Sequence, residues 1–557
     1  MSGLVGPRSV LARCVAGVSA RLGVQVRELG CLAAILAVAA ATRLANLPAR
    51  GGWDADQGTE MLALRNAING GGLPTFGPLA ISVGGNFHHG ALYYDLLLPA
   101  MWIGSGDPTF VVAEIALLSL LVVPIVWWIA RSVSGVAAGL MAAVLAAISA
   151  SLIGYATFIW NPTLVEPAAA VAFLGAWEAW RTARPQWWLV AAAGSAVAMQ
   201  SHVAAGVIVV PMAAAFLAAF RRAPAGRRRR VAAWGAAAVA LVVVSYLPLI
   251  VYELGHDFSE TRGMIGYFTG PDSTPARDPL TRLIFSTIRI LAWPLTRWPM
   301  VDLVPAFLPS VAVAATLALT FIWRLVKTGA PVRVTATDAP AETPDRAAGA
   351  AQRASAEEYE GLRFVGGLLL LIVLTLGLGL KAVSEVQELP TEQYHVVADP
   401  LVLVATGLAL AAIWRAAGSG LARQIGRVAA LVALAGLVAW NVGHWPPLTS
   451  PDGGWPAAQA AATRIERTAA GAPIALVPLF EEKGADAYAY PLERDHATLV
   501  AVDRAGVVVV LCDTFWLQGC GGQAEAAWLA NQPGGLMQVD RFAAAPDRIM
   551  TVYRRSP

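Results

Sequence analysis

Asp54, Asp56 and Glu60 fall in one short stretch, GGWDADQGTEMLALRNAINGGG, spanning Gly51 to Gly72. If DQGTEMLALRNAI is helical, Asp56 and Glu60, four residues apart, share a face and can meet one ligand together. Asp54 then stands at or before the helix start, where an acidic residue caps well. The stretch directly follows the first long apolar segment. A carboxylate at a membrane boundary is costly unless it is solvated or used. Asp56 is therefore a functional-site candidate, with Asp54 beside it. The plainer readings are a solvated loop acid for Asp56 and a helix cap for Asp54.

The next stretch, GPLAISVGGNFHHGALYYDLLLPA, adds His88 and His89 among glycines at 84, 85 and 90. Paired imidazoles can donate to an oxyanion or bind a metal, or they can be polar surface. Tyr93 and Tyr94, with Trp102, are either ligand contacts or an aromatic interface belt. His202 stands in QSH, Gln200 to His202, and Arg262 in a later outer loop.

These residues need elements to hold them, and composition says which kind. The 557-residue chain is 57% hydrophobic and only 14% charged. A soluble protein carries about a quarter charged residues. Apolar runs long enough to cross a bilayer recur, so the chain reads as a polytopic α-helical membrane protein with about eleven spans. The first is Cys31 to Leu47. The others lie near 110–130, 135–157, 163–180, 187–201, 203–220, 231–252, 303–326, 362–381, 397–414 and 427–445. The segment 187–220 reads either as two short spans or as one broken, re-entrant element. The net charge of +3 suggests no nucleic-acid partner.

Arginines order the topology. Arg8, Arg13, Arg21 and Arg27 precede the first run, which places residues 1–30 in the cytoplasm. Arg131, Arg181 with Arg184, RRAPAGRRRR at 221–230, Arg324 with Lys327, and Arg415 with Arg423 and Arg427 then fall on the same side. The loops 50–109 and 253–302 are expected outside. Within the latter, RLIFSTIRILAWPLTRW mixes Arg, Trp and Ile, as a segment lying along the interface would. Residues 328–361 are of low complexity and read as a flexible cytoplasmic linker.

An odd span count puts residues 446–557 outside, as a small α/β domain. APIALVPL, GVVVVLCD and DRIMTVYRR read as strands, and AAQAAATRIERTAA and GQAEAAWLAN as helices. No P-loop, GxSxG, HExxH or CxxC stands there. Cys512 and Cys520 can close a short disulfide loop in an oxidising compartment, or remain thiols.

The first outer loop resembles that of the GT-C class of membrane glycosyltransferases. The likeness is to the branch that holds protein O-mannosyltransferases and the lipid A aminoarabinose transferase. The residues that carry it are Asp56-Gln57-Gly58 with Glu60, Gly77-Pro78, Gly84-Gly85, Phe87-His88-His89-Gly90 and Leu92-Tyr93-Tyr94. WNPTLVEP (Trp160–Pro167, including Asn161) and YHVVADP (Tyr394–Pro400, including His395) match later motifs. The likeness covers the membrane part, 31–445, and leaves out the C-terminal domain. It implies an outward-facing polyprenyl-phosphate sugar as donor, held in the bilayer, and an extracytoplasmic glycan, lipid or protein as acceptor.

Direct displacement with inversion then needs one base, and Asp56 matches that position best. Glu60, His88, His89, Tyr93, Asn161, His202, Arg262, Tyr394 and His395 are the implied substrate contacts. No cofactor is required, although a divalent metal serves some GT-C enzymes. The sequence lacks the Lys-Pro-Pro that the aminoarabinose branch places near the His pair. The rival readings are a transporter and a non-catalytic polysaccharide-export scaffold. The spans are almost free of central charge and show no inverted repeat, which weighs against a transporter.

Overall fold

The computed structural model describes residues 19, 23–81, 84–270, 278–297, 304–329, 344–379, 392–415, 420–479, 484–513, 521–532, 535–546 and 548–555. Helices dominate up to His444, and a small sheet with flanking helices follows. Among the described residues, six helices are long and apolar enough to cross a membrane: Pro108–Ser134, Val203–Arg222, Leu308–Thr328, Gln352–Leu378, Val396–Trp414 and Leu421–Gly443. A seventh forms if Ala225–Ser245 and Leu247–Gly255, bent by 59°, count as one.

The other expected spans are helices that fall short on charge or length. Val26–Leu44 carries Arg27, Glu28 and Arg43. Val165–Thr182 carries Glu166, Glu178 and Arg181. Val136–Ile148 has 13 residues and Trp187–Ser201 has 15, short of the roughly 20 that span a hydrocarbon core.

Charge inside the bundle is matched locally. Arg43 is fully buried. Its guanidinium donates to Ser119 Oγ (3.0 Å), Ala147 O (3.0 Å) and Ala146 O (2.9 Å). Those carbonyls end the Val136–Ile148 helix, where carbonyls lack intrahelical partners and the dipole favours a cation. One side chain thereby stitches three helices. At another point Glu358 accepts from Arg324 (2.7 Å) and Arg415 (2.9 Å) and from Ser134.

The QSH segment separates two elements. Trp187–Ser201 stops at His202, whose backbone is extended (φ −154°, ψ 136°). A 3-10 turn over Val203–Ile208 then leads into Val209–Arg222.

Residues 282–296 of the RLIFSTIRILAWPLTRW stretch lie in the helix Pro279–Thr296, which buries Arg289 to Thr296 against the bundle. One expectation is corrected. The linker 328–361 is helical from Pro344, because the helix runs Pro344–Leu378 without a break. Residues 330–343 lie outside the described part.

The C-terminal region pairs four strands. Ile474–Pro478 is parallel to Val507–Asp513, which is antiparallel to Arg548–Arg555, which is antiparallel to Leu536–Ala545. The helix Asp486–Arg494 and the strand Leu536–Ala545 are not anticipated by the sequence reading. Cys512 is disulfide-bonded, and Cys520 lies outside the described residues.

This region docks directly on the Ala55–Asn66 helix. Trp53 Nε1 donates to Ala487 O (2.7 Å), Thr59 Oγ1 to Asp486 Oδ2 (2.6 Å), Arg65 to Glu493 O (2.8 Å) and Arg548 to Trp53 O (2.6 Å). Gly58 makes the approach possible. A Cβ there would stand 2.1 Å from the Asp486 carbonyl.

Candidate active site

The acidic helix Ala55–Asn66 is set by its cap. Asp54 accepts from the Asp56 N–H at 2.9 Å, and the Gln57 side-chain oxygen accepts from the Asp54 N–H at 2.9 Å. This reciprocal box satisfies amides that the first turn leaves open. Gln57 also donates to Ile159 O at 2.7 Å, which ties the cap to the WNP segment. Asp54 therefore holds the helix start, and Asp56, half-buried in its first turn, is the carboxylate that the cap positions.

One turn on, Glu60 is 5% exposed. Tyr94 donates to it from the helix Leu92–Ile103. Burial, with the nearby Asp56 charge, outweighs that hydrogen bond and pushes the Glu60 carboxyl up to about 8. Glu60 Oε2 and the buried Tyr93 hydroxyl have no hydrogen-bond partner among the described residues. Buried polar atoms are rarely left so.

The histidines form a second group. A short ladder pairs Leu79–Ala80 with Phe87–His88. Glu260, from the helix Ser259–Thr269, accepts from the His88 N–H at 2.6 Å and meets His88 Nδ1 at 3.2 Å. His89 is buried, and its ring stacks on His202 at 6.3 Å. Burial, helped by His88, lowers the His89 imidazole to about 4. His202 faces the Tyr394 ring at 5.4 Å. These residues adjoin an apolar cavity of about 450 Å³ lined by His88, His89, Tyr246, Ile250, Met264 and Phe268, among others.

Gln200 joins the two groups. It is fully buried, accepts from the Leu92 N–H at 3.2 Å and donates to Ser245 at 2.7 Å. Gly90 lets it in, since a Cβ there would stand 2.1 Å from Gln200 Oε1.

The remaining candidates divide. Asn161 donates to Ser201 O at 2.7 Å and so anchors the residue before His202. Arg262 is exposed on the Ser259–Thr269 helix and interacts electrostatically with Glu253, which lines the same cavity as His88 and His89. His395 is buried beside Trp293 and Arg289, and does not join the other histidines. Burial, with Arg289, holds its pKa well below the ordinary value. Glu253, Glu260 and Gln200 were missed by sequence reasoning. Gln200 had a signal, a polar residue ending an apolar run. Among the described residues no group of three His, Cys, Asp or Glu side chains is placed to hold a metal ion.

Comparison with known proteins places this arrangement. The family model for dolichyl-phosphate-mannose-protein mannosyltransferases matches residues 101–250. ArnT from Cupriavidus metallidurans in the apo state aligns over 94% of this chain and 98% of its own, with a TM-score of 0.56 and 13% identity. The same protein bound to undecaprenyl phosphate gives 0.57 and 14% over the same shares. The chain has the GT-C glycosyltransferase fold.

Arabinofuranosyltransferase AftD from Mycobacteria gives a TM-score of 0.50 at 15% identity, over 94% of this chain and 40% of its own. A sequence comparison with curated proteins finds no match. The ArnT alignments cover 94% of this chain and so extend past the span bundle into the C-terminal region.

Proposed function

We propose that the protein is an inverting glycosyltransferase that moves a sugar from a polyprenyl-phosphate donor to an acceptor outside the cytoplasm, with Asp56 as general base. The observation that carries this reading is the division of labour at the acidic helix. Asp54 caps the helix, Glu60 is buried and held protonated near neutral pH, and Asp56 sits half-buried between them. Of the three, Asp56 is the carboxylate that neither caps the helix nor is fully buried, which suits it to meet an incoming hydroxyl.

The apolar cavity beside His88 and His89 suits a prenyl chain, with the two rings near its phosphate. The fold relative that holds undecaprenyl phosphate supports a donor of that chemistry. The phosphate is already a good leaving group, so the protein's task is positioning and proton removal. His89, kept neutral by burial, donates a hydrogen bond and adds no full charge. The plasma membrane, with the N-terminus inside, is the location that the arginine pattern supports.

The test is consumption of labelled polyprenyl-phosphate mannose, glucose, galactose and arabinose by membranes holding the protein or its Asp56→Asn variant. Consumption of one donor by the unmutated protein alone fits the proposal. Equal consumption by the variant would remove Asp56 as base.

A further inference from the structure

Beyond the acidic helix lies a depression that the proposed donor chemistry does not use. It encloses about 880 Å³ and is lined by Arg65, Asn69, Ser105, Arg494, Asp495 and His496. Every lining residue is polar, whereas the other large cavities are walled mainly by apolar side chains. Three separate segments build it: the end of the acidic helix, the turn at 104–107, and the end of the Asp486–Arg494 helix in the C-terminal region.

The walls are held in place. Arg65 donates to Glu493 O at 2.8 Å, and the Arg494 guanidinium lies 5.5 Å over the Trp455 ring. Tyr490 donates to Gly106 O and fixes the turn that carries Ser105. Ser105 and His496 both adopt positive φ, 48° and 68°. Non-glycine residues in that region cost energy and gather where a side chain must be presented. Two such residues line this one depression from opposite sides of the domain junction.

Two arginines and a histidine stand against one carboxylate in the lining, Asp495, which is exposed on the rim. Asp107 is nearby but accepts from the Thr109 N–H at 2.8 Å as a helix cap. Planar guanidiniums match carboxylate and phosphate oxygens in pairs, while Asn and Ser suit hydroxyls. Arg65 lies nine residues after Asp56 on one helix, about 13 Å along its axis. Nine residues are two and a half turns, so Arg65 projects from the face of that helix opposite Asp56, the face on which the C-terminal region docks.

We infer that this depression binds a glycan bearing an acidic group. The site lies on the helix face opposite Asp56 and stands apart from the transferase reading. It also gives the C-terminal region a role, since half of the lining comes from there.

The experiment uses the full chain in nanodiscs of neutral lipid, without donor, and titrates tetragalacturonate against maltotetraose. Tetragalacturonate should bind saturably and at least about tenfold more tightly, the loss expected for one charge-assisted pair. Arg65→Gln and Arg494→Gln should each weaken it about tenfold, and Asp495→Asn should strengthen it a few-fold. Asp495 is exposed, so that variant keeps the test valid if an arginine change disturbs docking. No saturable binding, equal binding of the neutral sugar, or indifference to all three variants would overturn the inference. Arginine-dependent binding in a protein that consumes no donor would sustain the site and defeat the transferase reading instead.

Discussion

Tyr94 donates its hydroxyl to Glu60, one helical turn from Asp56. Burial outweighs that hydrogen bond, which favours the carboxylate, and makes Glu60 a proton-holding residue. Burial pushes Glu60 from 4.5 up to about 8. Across that window the folded chain keeps a proton that the unfolded chain loses. Stability should therefore fall as pH rises from about 4.5 to 8, by at most about 1.4 kcal/mol per pH unit. His89 works in the other direction. Its folded value near 4 lies below the ordinary 6.5, so stability should also fall as pH drops from 6.5 to 4. The two slopes cancel between about 4.5 and 6.5, so thermal unfolding in detergent should show a plateau there and fall on either side. Glu60→Gln should flatten the alkaline limb alone, and a variant that keeps that limb would show that Glu60 is ionised in the fold.

The two aspartates should separate under mutation. Asp56→Asn should lower donor consumption about 100-fold or more, the range for losing a general base, with normal accumulation in the membrane. Asp54→Asn should keep most activity, because asparagine caps a helix as well as aspartate. Asp54→Ala should cost about 1 kcal/mol of stability, the usual value of a lost cap. Donor turnover and melting temperature, measured side by side on the three variants, decide this. Loss of turnover in Asp54→Asn with turnover intact in Asp56→Asn would exchange their roles.

Why some of this was readable in the sequence and some was not follows from the range of the interactions. The capping box Asp54–Gln57 is local, so residue types three apart announced a helix start. The apolar runs at 203–220 and 397–414 announced spans because hydropathy is also local. The expected span 135–157 divides at Ser149 into Val136–Ile148 and Ala150–Tyr155, whereas 187–201 matches the helix Trp187–Ser201, which stops at His202. The His88–Glu260 contact joins residues 172 positions apart, and no local pattern marks Glu260 as its partner. Gly58 reads as a weak helix position until Asp486 is brought against it. The Asp486–Arg494 helix contains Pro491 and reads as a loop; docking on the acidic helix supplies what propensity does not.

Gly58 gives a test of that docking. In an exposed helix Gly→Ala stabilises by about 1 kcal/mol. Here the added methyl would stand 2.1 Å from the Asp486 carbonyl carbon and oxygen, both backbone atoms that cannot swing aside. Gly58→Ala should instead loosen the C-terminal region from the acidic helix. Limited proteolysis should cut after Arg494 faster than in the unmutated protein, with lowered transfer. Unchanged proteolysis and activity would mean that the two surfaces do not meet as closely as the structure has them.

The His88–Glu260 contact makes the last prediction. Glu260 holds both the His88 amide and its ring, and Gly263 on the same helix lets that helix settle on the loop. A Cβ at Gly263 would stand 1.9 Å from Asn86 O. Gly263→Ala should push the helix off the loop, and Glu260→Gln should remove the ring's charged partner. Both changes act on the wall of the cavity assigned to the donor and leave the Asp56 helix alone. Each should raise KM for the polyprenyl-phosphate sugar about tenfold while kcat stays within about a factor of three, the pattern of lost uniform binding. A fall in kcat at constant KM would mean that His88 acts on the transition state, and would move it from donor binding into the chemistry itself.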